Sequence, residues 1–326
     1  MTIAKYTITE PLLDLNMDLG EGCVWDSRSK RLYFVDIDLN DVYVYDPATE
    51  KYGVSHFDKN VTAIALLEDG EGLVASVEDN FAFIPPASVP QPTQARFEAP
   101  KMVPQTYDVI KTSTVTGQLT AKEARMNEGA VDPAGRFLAG TMGSGGIGTH
   151  DGRMFSLRQT KDGFEAPLIL GGITCTNGMA WFDGGRKMYF TDSWVKEIVL
   201  FDYDLAKGTM SNRRVFSDMK TPDVGYPDGL CLDAEGGVWS ARWCAGKVVR
   251  LNPETAQIDV EIDIPSAWNV TCCIFGGDNL DDLYIATAKC DTDNQNPPDR
   301  TEKGKLYRIS GLGYRGVERG RFKGKF

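Results

Sequence analysis

The chain has 326 residues and a formal net charge of −11, and 42% of its residues are hydrophobic. A hydrophobic fraction of this size is typical of a globular protein with a large buried core. The longest basic stretch is Arg319–Lys325 at the C-terminus. Because binding to a phosphate backbone needs an extended basic surface, this charge pattern argues against nucleic acid as a partner.

No part of the sequence approaches 18 uninterrupted apolar residues, and the first residues lack the charged and apolar regions of a secretory signal. The seven cysteines are an odd number, and Cys231, Cys272 and Cys273 lie in apolar runs, which predicts buried, reduced thiols. We therefore expect a cytoplasmic protein with no membrane partner. We also expect a monomer or weak homodimer.

A repeated unit runs along the chain. Each copy has a short polar residue, an apolar strand, a turn rich in Asp and Gly, and a second strand with aromatic residues. The six copies begin at Glu21, Thr62, Glu128, Asn177, Asp228 and Thr271. They are roughly 40 to 65 residues apart, which is the blade spacing of a propeller. The pattern predicts an all-β fold, a six-bladed β-propeller, as a single domain over residues 1–326.

Three segments depart from the repeat. A strand around Tyr6–Ile8 is expected to complete the last blade, which would close the ring. Residues 80–124, rich in Pro, Gln and Thr, are interpreted as a surface excursion that extends the second blade. Within them, Thr120–Ala124 is the one segment with a helical pattern. Residues 141–154 are interpreted as a glycine-rich loop near the mouth of the channel, although a plain disordered loop fits the pattern equally.

The first residues of the six copies predict a metal site. The innermost strand of each blade lines the channel of a propeller, so the residue just before it should point to the axis. All six carry oxygen, and three are carboxylates. Polar residues before strands are also common for purely structural reasons. However, converging carboxylates repel unless a cation lies between them.

Oxygen ligands favour Ca2+, Mg2+ or Mn2+, while Zn2+ and Fe2+ stay open at a low coordination number. With only two histidines, His56 and His150, a Ser-His-Asp triad or a histidine-rich zinc site is disfavoured. The aspartates at the strand ends, among them Asp36 and Asp192, are interpreted as structural.

Several motifs, in this order and at this spacing, resemble the family of senescence marker protein (regucalcin) and the gluconolactonases. They include Gly20-Glu-Gly-Cys-Val-Trp25, Arg125-Met-Asn-Glu-Gly129, Gly140-Thr-Met142, Thr176-Asn-Gly-Met-Ala-Trp181, Pro227-Asp-Gly229 and Phe275-Gly-Gly277. The likeness extends over nearly the whole chain.

The resemblance implies a metal-dependent sugar lactonase, with the metal ligands at Glu21, Asn177 and Asp228. It places the sugar-contacting arginine and asparagine at Arg125 and Asn127. Asp228 is the candidate general base, and Glu128, in the substrate region, is the reserve candidate. Glycines stand after the Gly-Thr-Met motif, where regucalcin-like members carry an acidic residue, and this difference affects the expected substrate.

The expected reaction is hydrolysis of an aldonolactone, a sugar lactone, by water that attacks a carbonyl polarised by a divalent cation. Two alternatives stay open at this point. One is hydrolysis of aryl esters or phosphotriesters on the same fold, and the other is a propeller that binds calcium without catalysis.

Overall fold

The computed structural model describes residues 2–112, 125–220, 222–290, 300 and 302–326. Within these ranges the only helices are two three-residue 3-10 helices, Pro86–Ser88 and Pro222–Val224. The strands form six sheets of four or five strands. These sheets are the blades of a six-bladed β-propeller, which confirms the predicted fold class. The segment Thr120–Ala124 lies outside the described residues.

In chain order the strands are β1 (Ala4–Thr7), β2 (Leu13–Met17), β3 (Gly20–Asp26), β4 (Arg31–Asp36), β5 (Asp41–Asp46), β6 (Lys51–His56), β7 (Val61–Leu66), β8 (Leu73–Val77), β9 (Asn80–Ile84), β10 (Gln94–Ala95), β11 (Asp108–Val109), β12 (Met126–Val131), β13 (Phe137–Thr141), β14 (Gly152–Thr160), β15 (Gly163–Glu165), β16 (Leu168–Ile173), β17 (Thr176–Phe182), β18 (Lys187–Asp192), β19 (Glu197–Asp204), β20 (Thr209–Ser217), β21 (Tyr226–Leu232), β22 (Val238–Trp243), β23 (Lys247–Leu251), β24 (Ile258–Asp263), β25 (Asn269–Gly276), β26 (Asp282–Ala288) and β27 (Gly304–Ile309).

The chain divides into two compact units. The first comprises Met1–His56, Pro90–Val103 and Met219–Glu318. Its three sheets have the strand orders β10-β6-β5-β4-β3, β1-β24-β23-β22-β21 and β2-β27-β26-β25. Its core contains large aromatic side chains such as Trp25, which stacks on Tyr284 with ring centroids 5.7 Å apart.

The second unit comprises Phe57–Val89, Pro104–Asp218 and Arg319–Phe326. Its sheets have the orders β11-β9-β8-β7, β12-β13-β14-β15 and β17-β18-β19-β20, and β16 pairs with β14 as well. The C-terminal segment belongs to this core, because the Phe322 ring is fully buried and its backbone bridges to Leu67. Whether the two units behave as one domain stays a prediction.

Asp/Gly turns connect the first and second strands of the repeats, as predicted. The Gly135 amide donates to the Asp132 carbonyl at 2.9 Å, and Gly236 donates to Asp233 at 3.0 Å. Both glycines have positive φ, 93° and 85°, and glycine takes up this conformation at little steric cost. The first strands β3, β7, β12 and β25 of four repeats are buried along their whole length.

The prediction that the strand around Tyr6–Ile8 completes the last blade was wrong. The strand Ala4–Thr7 pairs in parallel with β24 at the outer edge of the fifth sheet. The last sheet is completed instead by β2, which pairs antiparallel with β27. In Leu13–Met17 every second side chain is buried, and this alternation supplies an apolar face that the exposed strand Ala4–Thr7 lacks.

The excursion over residues 80–124 differs in part from its interpretation. Its first residues, β9, are a regular strand of the second sheet, and β11 extends that sheet as expected. In contrast, β10 pairs with β6 and so extends the first sheet. The Tyr52 hydroxyl donates to the Glu98 carbonyl at 2.7 Å and so holds this part of the excursion. Residues 113–124 lie outside the described residues.

No helix among the described residues is long and apolar enough to cross a membrane. All seven cysteines are free, and Cys231, Cys272 and Cys273 are buried, as predicted.

Candidate functional site

A β-bulge lies at each of the six residues that begin the repeats, which are called the ring residues below. In every sheet the pairing between the first and second strands shifts register at or around that residue. A bulge kinks a strand and re-aims the side chain it carries. The ring residues therefore lie inside their strands, not just before them as the sequence suggested. All six are at most 6% exposed: Glu21, Thr62, Glu128, Asn177, Asp228 and Thr271.

In the first unit the ring residues follow the order of the packed inner strands. Strand β25 packs against both β21 and β3, so Thr271 separates Asp228 from Glu21. The Thr271 hydroxyl donates to the carbonyl of Gly20 at 2.5 Å, next to Glu21. The Glu21 carboxylate in turn accepts the Gly22 amide at 2.9 Å. Gly22 has φ of 60°, a conformation that favours glycine.

Aspartates at the end of the second strand hold the backbone before two ring residues. Asp36 accepts the amides of Asp18 and Leu19, at 2.8 and 2.9 Å, just before Glu21. Asp192 accepts the amides of residues 174 and 175, both at 3.0 Å, just before Asn177. These bonds agree with the structural interpretation of both aspartates, and they position the predicted ligands.

In the second unit Asn177 presents a side-chain carbonyl oxygen that accepts no hydrogen bond from the described residues. Its Nδ2 donates to the Ser193 hydroxyl at 2.8 Å, so the donor side of the amide is occupied. Its Oδ1 is buried and has no hydrogen-bond donor among the described residues. A buried unpaired oxygen costs free energy unless a donor or cation reaches it. This atom therefore fits the role of a metal ligand.

Arg125 and Asn127 are joined to Asn177 through a hydrogen-bond chain. The Arg125 Nη1 donates to Asn127 Oδ1 at 2.7 Å, and Asn127 Nδ2 donates to the carbonyl of Thr176 at 2.8 Å. The start of the glycine-rich loop lies beside them, because Met142 bridges to Cys175 and its amide bonds to the Arg125 carbonyl. The predicted sugar-contacting residues thus lie together, next to a predicted metal ligand.

Glu128 is a carboxylate held in a nearly dry environment. It is 3% exposed, and neither oxygen has a hydrogen-bond partner among the described residues. Arg319, from the C-terminal segment, lies 3.9 Å from Oε1. Burial raises the pKa of Glu128 to about 7, and the Arg319 charge opposes this rise. A carboxyl with a pKa near neutrality is suited to accept or donate a proton.

Glu128 should make the metal-free protein less stable as the pH rises. Its folded pKa, about 7, lies above its usual value of 4.5, so the folded state must ionise a buried group as the pH passes through this window. We expect Glu128→Gln to be more stable than wild type at pH 8, by at most about 3 kcal/mol, with the advantage shrinking towards pH 4.5.

Urea unfolding of both proteins in chelator at several pH values measures this difference. Other titrating groups are common to both proteins and cancel. A stability difference that stays constant from pH 5 to pH 8 would contradict the assignment.

The predicted ligands must be oxygen donors if they are to hold a hard divalent cation. The described residues contain no group of three or more His, Cys, Asp and Glu side chains that could hold a metal ion. The predicted set lies outside that class, since it has two carboxylates and one amide. Its members are buried oxygen donors, and Asn177 has its carbonyl oxygen unused. The residue types therefore fit a hard divalent cation. That Glu21, Asp228 and Asn177 bind the same ion stays a prediction.

Two neighbours of the predicted site were missed in the sequence. Ser193 orients the Asn177 amide, and its only sequence signal is that it follows Asp192. Arg242, on β22, is 1% exposed and lies within electrostatic range of Asp228. It carries no recognisable motif, because a buried arginine in a strand cannot be told from an exposed one by spacing alone.

Comparison with known proteins places the chain in a family. Residues 19–289 match the family model described as SMP-30/Gluconolactonase/LRE-like region. The chain belongs to this SMP-30/gluconolactonase family. Regucalcin of Homo sapiens is 32% identical over 315 residues, which cover 94% of this chain and 96% of that protein.

Solved structures extend the SMP-30/gluconolactonase likeness to the fold. A luciferin-regenerating enzyme has a TM-score of 0.81 at 29% identity, covering 94% of this chain and 96% of that one. A calcium-binding protein, regucalcin from Agrobacterium tumefaciens, has a TM-score of 0.77 at 21% identity, covering 99% and 100%, a likeness of fold. Membership of the family supports a function of the sugar-lactonase kind.

Proposed function

We propose that this chain hydrolyses a sugar lactone to the aldonic acid, with one divalent cation held by Glu21, Asn177 and Asp228. The observation that carries the proposal is the set of six bulges, which place a buried oxygen-bearing residue at the equivalent point of every blade. The unused Asn177 Oδ1 supports a cation there, because its own amide nitrogen is already engaged.

Lactone hydrolysis forms a bond between a water oxygen and the carbonyl carbon and breaks the bond to the ring oxygen. One proton leaves the water, and one reaches the departing ring oxygen. When bound, the cation supplies Lewis acidity to the carbonyl oxygen. The protein must then supply the base, the substrate orientation and the exclusion of bulk water.

Asp228 is the proposed base that takes the proton of the attacking water. It is 6% exposed and lies in the bulge of β21. Glu128 is the reserve candidate, since its pKa of about 7 leaves a substantial ionised fraction at neutral pH.

Arg125 and Asn127 are proposed to bind the sugar hydroxyls. They are already bonded to each other, and Asn127 is anchored on the Thr176 carbonyl. Their donors are therefore held in place before substrate arrives, which lowers the entropy lost on binding.

A substrate panel tests the proposal. Five- and six-membered aldonolactones, aryl esters and phosphotriesters would be assayed by pH drift, in Ca2+, Mg2+, Mn2+, Zn2+ and Fe2+ added in turn to stripped protein. We expect the aldonolactones to have the highest kcat/KM, because they carry the hydroxyls that Arg125 and Asn127 bind.

Two results would replace the proposal. Faster hydrolysis of aryl esters or phosphotriesters would assign the chain to that class of hydrolase. Metal binding with no turnover of any substrate would indicate a propeller that binds a cation without catalysis.

A further inference from the structure

At one position of the repeat, a single blade has a positively charged side chain. In each sheet a residue of the second strand pairs with the chain one or two residues before the ring residue. The first to sixth sheets have Asp36, Val77, Thr141, Asp192, Arg242 and Thr287 at this position. Only the fifth sheet has an arginine, and this is the sheet that carries Asp228.

A structural role accounts for only part of the Arg242 side chain. Its Nε donates to the Val224 carbonyl at 2.7 Å, just before β21, and its Nη1 donates to the Ser240 hydroxyl at 3.3 Å. Asp36 and Asp192 also bind the backbone just before the first strand of their blades, but they accept hydrogen bonds from amides, whereas Arg242 donates to a carbonyl. The bond from Nε to Val224 therefore accounts for a structural role of Arg242. It does not account for the terminal nitrogen Nη2.

The second terminal nitrogen of Arg242 has no hydrogen-bond acceptor among the described residues. Nη2 is buried, and the residue as a whole is 1% exposed. Burial lowers the pKa of Arg242 to about 10, and the negative charge of Asp228 opposes this effect. Arg242 pairs across the sheet with Pro227, the residue before the proposed base Asp228, so the group is a buried cation beside that base with one donor that no described residue uses. Burying such a donor is costly unless something binds to it.

We propose that Arg242 Nη2 donates a hydrogen bond to the reacting carbonyl group of the substrate, first at the oxyanion and then at the product carboxylate. The inference rests on the proposed function and extends it by naming a donor. A planar guanidinium is well suited to this task, since its N–H groups match carboxylate geometry. The neutral lactone gains less from the contact than the anionic species that follow it, so the contact favours the transition state.

Arg242→Gln tests this role in the metal-loaded protein. We expect kcat to fall by about 10²- to 10³-fold, as for loss of one oxyanion donor, while KM for the neutral lactone stays within a few-fold. By calorimetry, binding of the aldonate that corresponds to the best lactone should weaken by at least ~10-fold. Binding of the matching alditol, which lacks the carboxylate, should stay unchanged.

Arg250→Gln is the matched control. Arg250 lies in the same sheet and is 4% exposed, but it donates to Asp233 and Asp259, both at 2.6 Å. Its loss should lower stability and leave aldonate affinity unaltered. If Arg242→Gln does not fold, Arg242→Lys serves in its place, because lysine keeps the positive charge but lacks the planar set of N–H donors of the guanidinium. We expect the same effects from it, but smaller.

A folded Arg242 variant with wild-type kcat and aldonate affinity would overturn the inference. Tighter metal binding with unaltered aldonate affinity would do so too, because it would assign Arg242 to neutralising Asp228. If wild type hydrolyses no lactone, the proposed function fails by itself. Aldonate binding that depends on Arg242 would then still support an anion site, and its absence would refute one.

Discussion

Asp228→Ala is expected to lower kcat/KM for the preferred lactone by more than about 10³-fold while the protein stays folded. Loss of a general base alone typically costs 10²- to 10⁴-fold, and this substitution also removes a proposed metal ligand. The side chain lies in a bulge, so the strand pairing of β21 on either side of it does not depend on the carboxylate.

Steady-state kinetics and circular dichroism of the variant measure both parts of this expectation. Asp228→Asn keeps the shape, leaves Arg242 near a polar group, and should be similarly inactive. Thr62→Val is the control at the equivalent position of another blade. It removes one hydrogen bond, to Ser76 at 2.8 Å, and should cost about 1 kcal/mol of stability with little change in turnover. Near-wild-type turnover of Asp228→Ala would refute the proposed base.

Removal of divalent metal is expected to abolish lactone hydrolysis reversibly. The proposed cation would stabilise the oxyanion as a Lewis acid, and a comparable oxyanion donor contributes about 3–4 kcal/mol to catalysis. Dialysis against a chelator should therefore reduce kcat by at least ~10²-fold, and added metal should restore it. If the proposed cation binds only the folded state, it should stabilise the protein by about 2.7 kcal/mol at 100 times Kd. The melting temperature should therefore rise with metal concentration.

Asn177→Ala provides the matched variant for this experiment. It removes the unused Oδ1 and keeps both carboxylates, so it should weaken metal binding in calorimetry and shift the metal dependence of kcat to higher concentration. Full activity in protein shown by elemental analysis to be metal-free would contradict the proposed cation. A metal-dependent melting temperature without turnover would indicate a purely structural ion.

The turns of the repeats could be predicted from the sequence, whereas the bulges at the ring residues could not. The turns that separate the strands depend on side chains a few residues apart, such as Asp132, whose carboxylate accepts the amides of Ala134 and Arg136. Such signals are readable in a sequence. The bulges were not predicted, because a register shift depends on the partner strand as much as on the residues that carry it.

The partners of the edge strands were beyond sequence reasoning. Two N-terminal strands, β1 and β2, pair with β24 and β27, more than 250 residues away. Their sequences indicate strands but not which of several open edges each one joins. The same holds for β10, which returns to the first sheet although it follows the second along the chain.

The amino-acid sequence by itself determined the all-β class, the six repeats and the buried oxygen-bearing residues, because turn chemistry, alternation and residue type are local properties. Only the tertiary structure decided which outer strands complete which sheets and that no described residue donates to the Asn177 carbonyl oxygen. It also decided that Arg242 lies buried opposite Pro227, next to Asp228. These features depend on hydrogen bonds and packing between segments far apart in the chain, and they cannot be predicted from residue spacing.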